Sequence, residues 1–374
     1  MSDPVKLAAK ALDILRTDEK AMQKIEDYYQ GRHELPYTPI NADSEYRQLA
    51  RKACTNWCDV LVTTPAQALY VDNYRRGGSD VSGDNMLSEL TDSPEWLAWQ
   101  NSRGASRQHI IHSEALKFGT GYVLNNLTPS GKPVWRGLSP FRTVTLYDDP
   151  AFDIDPMAAV YVKRWAKDDL DGVGQIIFWD DELRYDLTYK EGGEIRVVGE
   201  PKPHGASSCP VTRFYPFCDS EGNTWGVIER LFDVQDRINQ TIFDLLVMQT
   251  YNSFEVRTAT GMAPPVKRRL NEDGEYEVVL DSEGNPVPDR IELNASRFLV
   301  AEDPDVKFGS LPGGSLDGVI ASAELAIRHL AALSQTPPHF LLGQIANVSA
   351  EALEAAETAL ARKVGIFRST FGES

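Results

Sequence analysis

The chain has 374 residues, 55 acidic against 38 basic, for a formal net charge of −17 at pH 7. That balance excludes tight, sequence-independent binding of the whole chain to nucleic acid, which needs lysine and arginine to displace phosphate counterions. With 42% hydrophobic and 25% charged residues, the composition is that of an ordinary folded protein long enough for two or three structural units.

The predicted elements begin with a helix capped by Asp18, running through Ile25 to Tyr29 and ending at Gly31. Residues Gln30 to Tyr37 read as a turn. A second helix is expected from Ser44 to about Val62. A third is expected from about Pro94 to Phe118, with Trp96, Trp99, Ile110, Ile111, Ala115 and Phe118 as core candidates. From Gly119 the period shifts toward two, and strands are expected at 121–125, 144–147, 159–165, 175–179 and 194–198. The first 220 or so residues thus read as an α+β body with an antiparallel sheet, followed by a loop from Pro201 to Gly222.

The most informative stretch runs from Thr224 to Ser374. A long helix is predicted from Trp225 to about Ser253, because Ile228, Leu231, Gln235, Ile238, Ile242 and Leu245 fall at spacings of three and four. A small β-rich insert, Glu255 to Leu311, follows, with strands expected at 255–260, 276–280 and 298–301 and turns at 271–274 and 282–286. A second apolar stripe, Leu316, Val319, Ala323, Ile327 and Leu330, leads to a break at Gln335-Thr336-Pro337-Pro338. A third stripe, Leu353, Ala356, Leu360, Val364, Phe367 and Phe371, completes the pattern, with Ser349 as its cap. Between the last two helices, the segment Pro337 to Val348 places Phe340, Leu341, Leu342 and Ile345 together, with Gly343 as a hinge candidate. It reads either as a buried interhelix turn or as a mobile apolar loop projecting from a wall. A helix pair carrying a β module and an adjacent loop suits a shaft in an assembly better than an enzyme pocket.

Residues capable of chemistry are present without the patterns that chemistry needs. Cys54 and Cys58 share a helical, apolar context rather than a zinc knuckle, and with Cys209 and Cys218 they read as core cysteines. Four cysteines in this length make no disulfide framework. Gly119-Thr120-Gly121 and Gly172-Val173-Gly174 lack the rest of a nucleotide fingerprint. His109 and His112, one helical turn apart, read as surface or packing residues. The pairs Asp148-Asp149, Asp168-Asp169 and Asp180-Asp181 fall at loops and strand ends, where solvated faces explain them. No cofactor is expected and no metal site is assigned. Lys267-Arg268-Arg269 is the one concentrated basic cluster, either a solvated loop or a contact with DNA or an acidic partner. The start Met1-Ser2-Asp3-Pro4 lacks the regions of a signal peptide, and no apolar run approaches the ~20 residues that span a bilayer, so a soluble chain made in a cytosol is expected.

Several segments together resemble the portal proteins of tailed phages, of the siphophage type. They are Tyr28 to Tyr37 (YYQGRHELPY), Glu114 to Val123 (EALKFGTGYV), Leu138 to Phe141 with Leu146 to Asp149, and Asp236-Arg237-Ile238-Asn239. The last and most specific are Thr336-Pro337-Pro338-His339 and Asn347-Val348-Ser349-Ala350-Glu351-Ala352-Leu353. Their order, across most of the chain, carries the resemblance.

The resemblance implies an α+β portal-type fold, with a wing at 1–223, a first stem helix at 224–253 and a clip at 254–312. A second stem helix would lie at 313–335, a tunnel loop at 336–348, and a long helix at 349–374 returning toward wing and crown. It implies a structural protein of the virion, without enzymatic activity, in a ring of about twelve copies at one capsid vertex, assembled in the host cytoplasm. Double-stranded DNA would pass through the ring without sequence recognition during packaging and ejection. Terminase and then a head-tail adaptor would dock on the clip, with capsid and scaffold proteins around it. The tunnel-loop residues would be Pro337, Pro338, His339, Phe340, Leu341, Leu342, Gly343, Gln344, Ile345 and Asn347, and the clip contacts Lys267, Arg268 and Arg269. Such a ring of −17 chains has a formal charge near about −200, and an acidic wall would let DNA slide without sticking. The sequence ends at Ser374, where the family continues into further helices and a crown, so either the chain is truncated or this member is short. The competing readings are a metal-dependent enzyme acting on nucleic acid through the paired aspartates and histidines, and an acidic adaptor binding through its β insert.

Overall fold

The computed structural model describes residues 3–38, 44–71, 93–128, 130–253, 257–260, 266–270, 276–282, 284–287, 307–310, 315–343 and 350–374. The chain divides into two units, residues 1–244 with 319–374, and residues 245–318.

The first helix, α1 (Pro4–Tyr29), starts a full half-length before the predicted Asp18 cap. Asp3 is the cap, accepting from the Val5 N–H at 3.0 Å, with Pro4 preset in the first turn. Asp18 lies mid-helix. The predicted second helix is two, α2 (Ser44–Ala53) and α3 (Trp57–Ala68). Asn56 makes the break, accepting from Asp59 N–H and donating to the Tyr29 carbonyl at 2.8 Å. The predicted third helix is likewise broken into α4 (Pro94–Asn101) and α5 (Gly104–Phe118). Arg103 takes a left-handed φ of 55° there. A Cβ on the next residue, Gly104, would sit 2.4 Å from the Trp99 ring, so only glycine fits the turn.

Two antiparallel sheets follow. The first has the order β2 (Pro133–Leu138), β1 (Gly121–Leu127), β9 (Val211–Phe214). The second runs β3 (Thr143–Leu146), β4 (Ala158–Arg164), β5 (Val173–Trp179), β6 (Leu183–Lys190), β7 (Arg196–Val197), with β8 (Lys202–Pro203) also on β6. Strands β2, β6, β8 and β9 are absent from the sequence reading, the last two lying in the segment expected to be a loop from Pro201 to Gly222. In β6, Arg184 and Asp186 interrupt the apolar signal, alternating with Tyr185, Leu187 and Tyr189, which pack on the core.

The N-terminal half of α1 lays Ala8, Ala11, Leu12 and Leu15 on the second sheet, against Val160, Val162, Ile176 and Phe178. Its C-terminal half enters a separate helical core with Ile25 and Tyr28. That core gathers α3, α5 and three long helices, α6 (Phe232–Ser253), α7 (Asp317–Ser334) and α9 (Ala350–Glu373). The helix predicted from Trp225 begins only at Phe232, after a 3₁₀ turn at Glu229–Leu231. Of the predicted stripe, Ile228, Leu231, Gln235 and Ile238 are buried and Ile242 and Leu245 half-buried, and Val364, Phe367 and Phe371 of α9 are buried. Burying a side chain such as Phe367 completely stabilises by about 1.5–3 kcal/mol. The three long helices are therefore fastened mainly by apolar packing.

Among its described residues, unit 2 contains two antiparallel pairs, β10 (Arg257–Thr260) with β13 (Lys307–Ser310) and β11 (Arg268–Leu270) with β12 (Tyr276–Val278). The predicted strand at 298–301 and turn at 271–274 lie outside the described residues. The predicted turn at 282–286 is present, with Gly284 at φ 83° and Asn285 N–H donating to Asp281 Oδ1 at 2.8 Å.

Candidate functional site

Two segments were singled out by sequence, and the structure places each on its own. The first is the junction between α7 and α9. Pro337 to Gly343 is not an open loop. A short helix, α8 (Pro338–Leu342), forms with Pro338 at its first position, and Gly343 closes it at φ 66°, donating to the His339 carbonyl at 3.0 Å. Leu341 is buried in the helical core and Leu342 packs against it, so this half follows the buried-turn reading. Phe340, on the other side of the turn, is 41% exposed. Pro337 is buried, Pro338 exposed and His339 half-buried, with its Nε2 3.8 Å from Glu357 Oε1 on α9. Gln344, Ile345 and Asn347, with Ser349, lie outside the described residues.

The base of this turn is held by Lys363 of α9, a residue the sequence reading did not single out. Its amine is buried and donates to the Ser334 carbonyl at 2.8 Å, at the last residue of α7. Desolvation pushes the amine down to about 8. Gln335, just beyond, takes a left-handed φ of 54°. A lysine in an otherwise apolar stripe is the sequence signal that marks the position.

The long helix α6 is registered by a polar network inside the core. Gln235 and Asn239, one turn apart and both buried, face the break between α2 and α3. Gln235 Nε2 donates to the Thr55 carbonyl at 2.8 Å and to Asn239 Oδ1 at 3.0 Å, while Trp57 N–H donates to Gln235 Oε1. Asn239 Oδ1 also accepts from Thr55 N–H at 3.2 Å. With its oxygen so engaged, the Asn239 amide nitrogen donates to His33 Nδ1 at 3.0 Å, and His33 Nε2 donates to the Tyr28 carbonyl. Tyr28 Oη donates to the Asp236 carboxylate at 2.7 Å. Burial raises Asp236 above the ordinary carboxylate value, and burial also pushes the Tyr28 phenol well up. The YYQGRHELPY segment and the Asp236–Asn239 segment, distant in sequence, thus meet.

At the start of the same chain segment, Val227 N–H donates to the Leu116 carbonyl at 2.8 Å. A Cβ at Gly226 would lie 2.1 Å from the Lys117 carbonyl oxygen. Lys117 itself is buried, pairs with Glu26 at 2.8 Å, and lies over the rings of Tyr29 and Phe118. Arg237 of α6 and His329 of α7 meet at 3.1 Å.

The second segment is the basic cluster in unit 2. Lys267 and Arg269 are exposed, and the β11–β12 register sets Arg269 opposite Glu277. Arg268 is opposite Val278. A cross-strand acid offsets part of the positive charge.

One member of each aspartate pair has structural work. Asp180 Oδ1 accepts from Glu182 and Leu183 N–H, Asp169 pairs with Arg164 at 2.8 Å, and Asp149 Oδ1 accepts from Ala151 N–H. His112 is buried, its Nδ1 on the Leu69 carbonyl at 3.1 Å and its ring stacked on Phe371. Burial pushes the Cys58 and Cys209 thiols up to about 12, which disfavours the thiolate a metal would need. Among the described residues no group of three or more His, Cys, Asp or Glu is placed to hold a metal ion, and no helix is long and apolar enough to cross a membrane.

Compared with known proteins, residues 9–374 match the family model described as phage portal protein, SPP1 Gp6-like. The chain belongs to this phage portal family. Its mixed helix and sheet architecture is a portal fold. Among solved structures, the neck of an empty GTA particle, computed with C6 symmetry, is similar to this portal chain at 12% identity and a TM-score of 0.37, over 90% of this chain and 84% of that one. No curated protein matches the sequence.

Proposed function

We propose that this portal chain forms a closed ring at one vertex of a phage capsid and that double-stranded DNA passes through it during packaging and ejection. The observation that carries the reading is the family match over nearly the whole chain. Residues 1–223 act as the wing, 224–253 and 313–335, which contain α6 and α7, as the stem, 254–312 as the clip, and 336–348 as the tunnel loop. The exposed Phe340 then bears on the duplex as an apolar contact that reads no sequence, while Leu341 anchors the turn. Lys267, Arg268 and Arg269 meet terminase and later the head-tail adaptor. The role is structural, with ATP hydrolysis supplied by the terminase.

Capsids assembled with and without the chain, then supplied with terminase, ATP and DNA, test the reading. DNA protected from nuclease only in capsids containing the chain is the expected result. Equal protection without it would overturn the conduit role. Metal-dependent nuclease activity of the purified chain, lost on changing the paired aspartates to alanine, would favour the enzyme reading instead.

A further inference from the structure

Two surfaces of unit 1, one flanked by arginines and one carrying four aspartates, sit at opposite edges of the three-stranded sheet. The first is a groove of about 530 Å³ beside the edge strand β2, lined by Arg107, Ile110 and Ile111 of α5 and by Arg136 and Gly137 of β2, with one acid, Glu114, whose carboxylate lies 3.8 Å from the Lys117 amine. Arg107 and Arg136 are exposed, and neither guanidinium has an ion-pair partner among the described residues. Ile110 is 61% exposed. Trp135 N–H leaves the outer edge of β2 toward Ser102 Oγ at 3.0 Å. By the two-residue alternation of a strand, Gly137 turns its N–H and C=O off that same edge, and it brings no side chain to block approach.

The second surface is the knob Asp148-Asp149-Pro150-Ala151-Phe152-Asp153-Ile154-Asp155, between β3 and β4. Phe152 is 78% exposed and Ile154 90%. Such large apolar side chains, held out in water among four carboxylates, are not placed there by the core of their own chain. The knob is also ordered. Asp153 N–H donates to the Asp149 carbonyl at 2.9 Å, and Asp149 N–H to Asp153 Oδ2 at 2.7 Å. Arg213 of β9 braces it, donating to the Pro150 carbonyl at 2.9 Å. None of the four aspartates is in an ion pair among the described residues.

We infer that the acidic, apolar knob of one copy docks in the arginine-flanked groove beside β2 of the next copy, a head-to-tail contact that closes the ring. This rests on the ring reading above. The groove adjoins β2 at one edge of the sheet and the knob is tied to β9 at the other. A contact between unlike faces is heterologous, and repeated with a closing rotation it generates a ring. Phe152 and Ile154 supply the buried apolar anchor, while Asp148 and Asp155 face Arg107 and Arg136 and fix the register. A preformed knob loses little entropy on docking.

The experiment compares ring formation by the full-length chain, by R107E/R136E, by D148R/D155R, and by the quadruple variant carrying all four changes. Ring fraction is read by sedimentation, and folding of each variant by its thermal melt. Each double variant is expected to lose rings by at least about tenfold through like-charge contact, and the quadruple variant to recover them within about twofold. Rings formed as well by both doubles as by the unaltered chain would overturn the interface while leaving the ring reading intact. Rings lost in the doubles and not recovered in the quadruple variant would also overturn it. An unaltered chain that forms no ring under any assembly condition would overturn the ring reading first, and this contact with it.

Discussion

Lys363 Nζ donates to the carbonyl oxygen of Ser334 at 2.8 Å, tying the last long helix to the C-terminal end of α7. A cation suits the negative end of a helix dipole, but burial works against the charge and brings the amine to about 8, from 10.5. Because the folded value lies below the unfolded one, the unfolded chain binds the extra proton between them. Stability from this group therefore rises as pH climbs from about 8 toward 10.5, and below about 8 the folded state bears the desolvation cost. Urea unfolding at pH 7 and pH 10 checks this. The unaltered chain is expected to gain about 2 kcal/mol relative to Lys363→Met over that interval. Parallel pH dependences of the two proteins would show that the amine stays charged.

Asn239 satisfies Thr55, Gln235 and His33 at once, so replacing it leaves several buried polar groups without partners. Asn239→Leu is expected to cost about 3 kcal/mol. Because Gln235 belongs to the same network, Gln235→Leu/Asn239→Leu is expected to cost less than the sum of the single changes. A set of denaturant melts measures this, and additive losses would mean that the two amides act independently.

Neighbouring residues of α8 are expected to behave oppositely. Leu341→Ala empties a buried position and is expected to cost about 3 kcal/mol. Phe340→Ala changes an exposed position, should move stability by less than about 1 kcal/mol, and is expected to reduce the DNA retained in filled capsids. Melting curves and nuclease-protected DNA separate the two effects. Full DNA retention by Phe340→Ala would remove Phe340 from the channel contact.

Lys267→Glu/Arg269→Glu is expected to lower the chain's stability by less than about 1 kcal/mol, since both side chains are exposed and Arg269→Glu sets a like charge opposite Glu277. Affinity for terminase, measured by titration at low and moderate salt, is expected to fall about tenfold at low salt. Unchanged affinity would return the cluster to a solvated strand whose charge Glu277 offsets.

What was legible in the sequence follows from period and punctuation. The stripe Ile228, Leu231, Gln235, Ile238 names the buried face of the segment leading into α6, and Val364, Phe367, Phe371 that of α9. The break at Gln335–Pro338 is equally plain. Helix ends within the first 120 residues were read less well: Asp3 and Asn56 are local caps, but the hold of Gln235 and Asn239 on Thr55, some 180 residues away, leaves no local signal. Strand β6 was missed because one face of a sheet can carry charge. Lys363 and Lys117 were overlooked as sites because a buried lysine reads as a surface one until its acceptor is known. The resemblance to portal proteins gave the family, which the match over residues 9–374 shows, whereas the fate of Leu341 depended on packing that no motif describes.

The central claim is the ring, and imaging purified particles together with their solution mass tests it most directly. At 41.6 kDa per chain, a ring of about twelve copies has a mass near about 500 kDa and an open centre some tens of ångströms wide. The account predicts such particles, from the chain alone or once scaffold or capsid protein is added. A chain that stays at 41.6 kDa under all of these conditions would contradict it.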